Sequence, residues 1–162
     1  MDTSHEKRVA TEGLGFGLLA GAIYLAAEMA FSGVAPPLRA AASVVLGFHA
    51  LDSSLGRTFL AGLVVHFVFS GVLGLIYGEC EARLPPEPRR HHGLQIATAM
   101  LFAGLVWLVA FELVGNTLYP WLVSMRPVRQ LALEALFYGA PLGWMFAAAE
   151  RRVPLVIRPS VG

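Results

Sequence analysis

One segment restricts the fold of this chain more than any other, the uninterrupted apolar run at residues 58–78 (TFLAGLVVHFVFSGVLGLIYG). Its length suffices for one helical crossing of a lipid bilayer. Four residues at four-residue spacing share one face of that helix: His66, Ser70, Gly74 and Gly78. Small residues at such spacing are typical of helices that pack closely inside a membrane. The segment therefore predicts a membrane-spanning helix with one side turned toward protein.

The composition of the whole chain agrees with this interpretation. Of its 162 residues, 56% are hydrophobic and 14% are charged, whereas about a quarter of the residues of a soluble domain are charged. Three further apolar runs are long enough to span a bilayer, at residues 13–34, 94–113 and 131–149. We therefore predict an all-α membrane protein with four transmembrane helices.

Two properties exclude other classes of protein. The net charge of +1 gives no basic field of the kind that nucleic acids require, so we expect no nucleic-acid partner. Cys80 is the single cysteine, which rules out an intrachain disulfide, and the chain has none of the common metal-binding or nucleotide-binding motifs. We predict no metal site.

The polar segments between the apolar runs divide the chain into two units of two spans. Both outer linkers are rich in apolar residues and proline, and we expect each to hold an interfacial helix. The predicted order is a polar lead-in (1–12), a first unit (13–85, with linker 35–57), a cytoplasmic turn (86–93), a second unit (94–154, with linker 114–130) and a C-terminal tail (155–162).

The positions of the basic residues predict the orientation. Eight of the twelve Lys and Arg residues lie in the N-terminal segment, in the stretch from Arg83 to Arg90, or at residues 151–158. Because cytoplasmic loops carry the excess of positive charge, both termini are predicted to be cytoplasmic. The corresponding location is the inner membrane of a bacterium.

The two units resemble each other in sequence. Glu28 recurs 84 residues later as Glu112. The small-residue row of the second span recurs after 69 residues as Ala135, Gly139, Gly143 and Ala147. We therefore predict a parallel two-helix repeat, related by an axis along the membrane normal. The matching rows predict that spans two and four form the central close crossing, and Gly17 and Gly21 give the first span a similar packing face.

Glu28 and Glu112 are carboxylates inside spans, where an ionisable side chain is costly. Their equivalent positions in the repeat predict that they face each other near the outer end as a protonatable pair. A proton or cation site formed with His49, Asp52 and Glu134 is one interpretation. The alternative is anchoring, in which the two carboxylates bond to Arg39, Arg126, Arg129 or linker amides at the membrane surface.

His66 is the one histidine within a span, on the face of small residues. It could ligate haem, contact a quinone or relay protons. The alternative is a neutral histidine that bonds across helices to Tyr24. Because no second histidine occupies a span at similar depth, we predict no bound cofactor.

Several of these residues also form a pattern with the first outer linker. Pro37-Leu-Arg39, the run from Ala42 to Gly47, and Ala50-Leu51 are followed by His66-Phe67, Ser70, Gly74 and Tyr77. This pattern resembles a group of small four-span bacterial membrane proteins of unknown function. The resemblance implies a four-span fold and a bacterial membrane location, and it marks Arg39 and His66 as positions of the pattern.

The first functional hypothesis is a non-catalytic integral subunit or scaffold of a larger membrane complex, such as a respiratory or electron-transfer complex. Its partners would be membrane lipids and other integral subunits, or further copies of the same chain. The second hypothesis is a small oligomeric carrier or proton-coupled channel that uses Glu28 and Glu112. The third is a haem-binding cytochrome subunit that uses His66.

Overall fold

The structure, a computed structural model, describes residues 3–84, 91–123 and 128–152. Helices account for nearly all of these residues, and none of them lies in a β-strand. Four helices are long and apolar enough to cross a membrane: α1 (Thr3–Ser32, of which Thr11–Ser32 is the apolar part), α3 (Leu55–Ala82), α4 (His92–Leu118) and α6 (Val128–Arg151). The predicted all-α, four-span fold is confirmed. Arg126, most of the 86–93 turn and the 155–162 tail lie outside the described residues.

Helix α1 begins ten residues before the predicted first span. The stretch at 3–12 is polar but contains neither proline nor glycine, so nothing in it stops the helix. Gly33 ends the helix with a φ of 84°, in the left-handed region where glycine is favoured. The polar lead-in is therefore helical from Thr3 onward.

The first outer linker contains the short helix α2 (Ala35–Leu46) and a 3₁₀ turn (Phe48–Ala50). Helix α2 packs along α3, and its side chains of Leu38 and Ala42 are fully buried. The second linker contains the four-residue helix α5 (Pro120–Val123). The Trp121 indole N–H donates a hydrogen bond to the Ser43 hydroxyl at 3.2 Å, so the two linkers are joined. We call this side of the bundle the linker end, and the opposite side the terminal end.

The close crossings lie within the two units. In the first, α1 meets α3 where Gly13 and Gly17 lie against Gly74, and a Cβ at any of the three would collide with backbone atoms. In the second, Gly139 and Gly143 of α6 lie against the backbone of α4 at Ala99 and Gln95. Because glycine has no side chain, the two helix backbones can approach this closely.

The prediction that spans two and four form the central crossing is wrong. Helices α3 and α6 contact each other through large side chains: the Tyr138 hydroxyl donates to the Ser70 carbonyl, and the Tyr77 and Phe146 rings lie 5.2 Å apart. The small-residue row of α3 faces α1 instead, and that of α6 faces α4. Equivalent rows in a repeat can make the same contact in each unit, and here they do.

An aromatic layer fills the interior between the two crossings. The Phe16 and Phe146 rings are edge-to-face with centroids 5.1 Å apart, and the Phe146 ring lies 5.2 Å from that of Tyr77. Phe102 extends the layer, with its ring 5.3 Å from that of Tyr77. The layer contains residues from all four spans.

Candidate functional site

Polar side chains from α1 and α6 meet inside the bundle at the linker end. Glu28 is 8% exposed, and the Gln130 amide donates a hydrogen bond to its Oε1 at 3.3 Å. Tyr24, one turn earlier on α1, also hydrogen bonds to Glu28. The partly buried Glu134 lies close enough to Glu28 for the two carboxyls to interact electrostatically. We call Tyr24, Glu28, Gln130 and Glu134 the linker-end site.

The charges of this site do not pair one to one. Among the residues that the structure describes, Arg129, whose side chain is exposed, is a cation that acts on Glu28. With Glu28 and Glu134 both ionised, these two carboxylates and the Arg129 guanidinium, the charges described for this site, carry one excess negative charge. A proton or a cation would remove that excess, because like charges in a shared site disfavour full ionisation. The arrangement is thus suited to taking up one positive charge.

His66 connects the site to the middle of the bundle. Its Nε2 lies 2.9 Å from the Gly21 carbonyl oxygen, and because a carbonyl only accepts, this nitrogen carries the proton. The imidazole stacks on the Tyr24 ring with centroids 6.0 Å apart and an interplanar angle of 19°. His66 therefore bonds across helices to Gly21, whereas the sequence suggested a hydrogen bond to Tyr24.

The surroundings of His66 do not fit a haem. Its Nε2 already donates to Gly21, so ligation of iron through this atom would require breaking an interhelical bond. His49 is exposed in the first linker, and His92 begins α4 at the terminal end. Within the described spans, no second histidine lies at the depth of His66.

The prediction that Glu28 and Glu112 face each other is wrong. The Glu112 side chain is exposed, whereas Glu28 is buried. At the two crossings, Gln95 and Ala99 take the places of Gly13 and Gly17, which lie 82 residues earlier. The offset between Glu28 and Glu112 is 84 residues, so these two residues are not equivalent in the packing. Two residues turn a helix by about 200°, and the π-helical segment Val109–Gly115 changes the phase again.

The linker residues of the predicted site also lie elsewhere. His49 and Asp52 have exposed side chains on the outside of the first linker, while Glu28 is buried between α1 and α6. Glu134 is the predicted member that lies beside Glu28. The predicted packing residues all lie at crossings: Gly17, Gly21, Ser70, Gly74 and Gly78 between α1 and α3, and Gly139 and Gly143 between α4 and α6.

A second polar cluster at the terminal end was not predicted. The Tyr77 hydroxyl donates to the Gln95 side-chain oxygen at 3.0 Å and lies 3.0 Å from the Thr98 hydroxyl. The Gln95 amide donates in turn to the Glu81 carboxylate. Gln95 and Glu81 are 1% and 4% exposed. We call Tyr77, Glu81, Gln95 and Thr98 the terminal-end cluster.

A signal for this cluster was present in the sequence. Glu81 follows Tyr77 by four residues, so both lie on the face that also carries Ser70. The predicted span ends at Gly78, three residues before Glu81, so the sequence prediction leaves Glu81 outside the membrane. In the structure α3 continues to Ala82, which keeps Glu81 inside the bundle.

Comparisons of this chain with protein-family models, with curated proteins and with solved structures find no match.

Proposed function

We propose that this protein is a small proton-coupled carrier or channel whose working group is the carboxyl pair of Glu28 and Glu134. The observation that carries the proposal is that the buried Glu28 of α1 accepts a hydrogen bond from Gln130 of α6, and Glu134 follows Gln130 by one turn on the same face of α6. Ionisable side chains within spans are costly and typically mark ion or proton pathways. This is the second hypothesis from the sequence, with Glu134 in the place of Glu112.

The neighbouring residues suit reversible proton binding. When one carboxyl holds the proton, the other remains ionised, so mutual repulsion is removed. Gln130 and Tyr24 donate hydrogen bonds to Glu28 and stabilise its ionised form. Protonation of either carboxyl would shift these donors, which gives the site a means of coupling proton uptake to helix movement.

The test is proton flux into liposomes that contain the purified protein and an internal pH-sensitive dye, driven by a potassium diffusion potential. Glu28→Gln and Glu134→Gln keep the shape and hydrogen-bonding capacity of each side chain but cannot exchange a proton. Each is expected to lower the flux to that of protein-free vesicles. Glu112→Gln is the matched control, because this span carboxyl is exposed and lies outside the site.

Two results would overturn this function. The first is a wild-type protein that conducts no faster than empty vesicles. The second is flux that survives both substitutions in the site, or that falls equally with Glu112→Gln. In the second case the carboxyl pair would be an anchoring feature of the bundle.

An accessory-subunit function is a second candidate, favoured by the aromatic surface at the linker end. Phe48 is 50% exposed and its ring lies 6.4 Å from that of Trp121, which is tied to Ser43. Such a surface suits lipid headgroups or another membrane subunit. A wild-type protein without flux that co-purifies with larger integral proteins after gentle extraction would favour this candidate.

For either function we propose the bacterial inner membrane, with the terminal end in the cytoplasm. The support is the excess of Lys and Arg at that end of the chain's spans. The resemblance to small four-span bacterial proteins agrees with this location.

A further inference from the structure

We infer that Glu81 is a second proton-binding group, and that it and the linker-end site are the two ends of one proton path along the buried face of α3. The inference rests on the proposed function, because it concerns the route of the proton that Glu28 and Glu134 would exchange. It also assigns a role to the terminal-end cluster. The aromatic layer, formed by Phe16, Tyr77, Phe102 and Phe146, is the barrier in the path.

Four polar residues on one face of α3, at positions 66, 70, 77 and 81, are each tied to another span through a side-chain or backbone atom. His66 bonds to α1, and the Tyr138 hydroxyl of α6 donates to the Ser70 carbonyl at 2.8 Å. Tyr77 and Glu81 bond to Gln95 of α4. Three helices thus contribute polar partners to one face of the fourth.

The positions of these groups cover most of the membrane thickness. His66 and Glu81 are fifteen residues apart on one helix, which corresponds to about 22 Å of rise. Tyr24 and Glu28 continue the series beyond His66 toward the linker end. The hydrocarbon core of a bilayer is about 30 Å thick, so the series runs nearly from one side to the other.

A cavity lies beside Glu81 at the terminal end. It has a volume of about 310 Å³ and lies between α3 and α4, with Tyr77, Glu81 and Thr98 in its wall. The exposed Cys80 also lines it, and the remaining walls are apolar. Glu81 itself is 4% exposed. The carboxyl is therefore buried beside this cavity, which is the opening through which we expect protons to reach it.

The path is interrupted at one layer. Ser70 and Tyr77 are seven residues apart on α3, about 10 Å along the helix, and Gly74 between them packs against the backbone of Gly17. The Phe16 and Phe146 rings fill the space beside this contact. A proton crosses the layer only when water enters or the rings move, so this layer limits the rate.

The path is a series of proton exchanges with no net chemistry. Glu81 takes up a proton from the terminal side and becomes a neutral carboxylic acid. It returns to the carboxylate when the proton passes on toward Ser70 and His66. Glu28 or Glu134 takes up the proton and then releases it at the linker end, which restores the carboxylate. Each step thus moves one proton and leaves the side chains as they were.

The first arm of the test is Glu81→Gln in the liposome flux assay. We expect flux to fall to the level of protein-free vesicles, while the infrared carboxyl band of the linker-end site still titrates with pH. Glu79→Gln is the matched control, because Glu79 lies on the same helix but pairs with the exposed Arg83 at 3.7 Å. It is expected to leave flux unchanged.

The second arm opens the barrier. Phe146→Ala removes a ring from the aromatic layer and is expected to raise the flux above that of the wild type. The control Trp144→Ala removes an aromatic ring that is 55% exposed on the same helix, and it should leave flux unchanged. Adding Glu81→Gln to Phe146→Ala should abolish the gain. Phe146→Leu, which keeps most of the apolar volume, serves if the alanine variant does not fold.

The outcomes separate the inference from the proposed function. If Glu28→Gln abolishes flux but Glu81→Gln does not, the path is overturned and the linker-end function stands. If opening the layer leaves flux unchanged in a folded variant, the barrier is overturned. If the wild type conducts no protons, the proposed function fails and the path fails with it.

Discussion

The two close crossings between membrane-spanning helices achieve the same approach with different residues. Between α1 and α3, glycines stand on both helices, with Gly13 and Gly17 facing Gly74. Between α4 and α6, glycines stand only on α6, where Gly139 and Gly143 face Ala99 and Gln95. Neither helix has a Cβ atom where Gly13 and Gly17 meet Gly74, whereas at the second crossing Ala99 and Gln95 keep theirs on one side.

The difference explains where polar groups can enter the bundle. A helix that keeps its side chains at a crossing can carry a functional one there, and Gln95 does so when it bonds to Tyr77 and Glu81. The second unit also contains two π-helical segments, Val109–Gly115 and Ala135–Gly139. Such segments often occur at functional sites, and the second of these directly follows Glu134.

Gly74→Ala tests the first crossing and should have the largest effect. A Cβ at this position would collide with backbone atoms of both Gly13 and Gly17, and backbone cannot rotate away. We expect the free energy of unfolding to fall by about 3 kcal/mol, the upper part of the range for overpacking. Reversible unfolding by denaturing detergent in mixed micelles measures it. An unchanged stability would show that α1 and α3 do not approach this closely.

Gly139→Ala tests the second crossing, where the new methyl group would meet Ala99 O and Met100 Cα at 2.8 Å and Ala103 Cβ at 3.1 Å. One of these contacts is with a side chain, and the distances are longer than at Gly74. A smaller loss of about 1 to 2 kcal/mol is expected in the same assay. A loss that equals or exceeds that of Gly74→Ala would show that the second crossing is at least as tight as the first.

The sequence predicted what depends on regular helical spacing. The four apolar spans and the glycines at 17, 74, 139 and 143 follow from hydropathy and from four-residue rows, and the structure has them at helix contacts. The predicted position of Glu112 is wrong because it requires the same helical phase in both units. The π-helical segment at 109–115 changes that phase in the second unit. A π-helical turn has no sequence signature comparable to proline, so the sequence does not show this change of phase.

The other differences arise at helix ends and between distant segments. Glu81 was missed because hydropathy falls at Glu79, although the helix continues to Ala82. The pairing of Glu28 with Glu134 depends on how α1 packs against α6, and a spacing within one helix does not contain that information. Spans and faces are local properties of the sequence, whereas the partners across faces are set by the packing of the whole bundle.

Gly104→Ala should have the smallest effect and calibrates the other two substitutions. Gly104 lies on α4 next to the buried Ala103, but the nearest neighbour of an added Cβ would be Leu131 Cδ1 at 3.6 Å, an ordinary contact. Alanine favours a helix over glycine by up to about 1 kcal/mol, so this variant should be as stable as the wild type or slightly more stable. Subtracting its effect from those of Gly74→Ala and Gly139→Ala leaves the part that is due to contact between helices. If Gly104→Ala were as destabilising as Gly74→Ala or Gly139→Ala, the glycines of this bundle would matter for backbone flexibility and not for close packing. The distinction between the two crossings would then have no energetic basis.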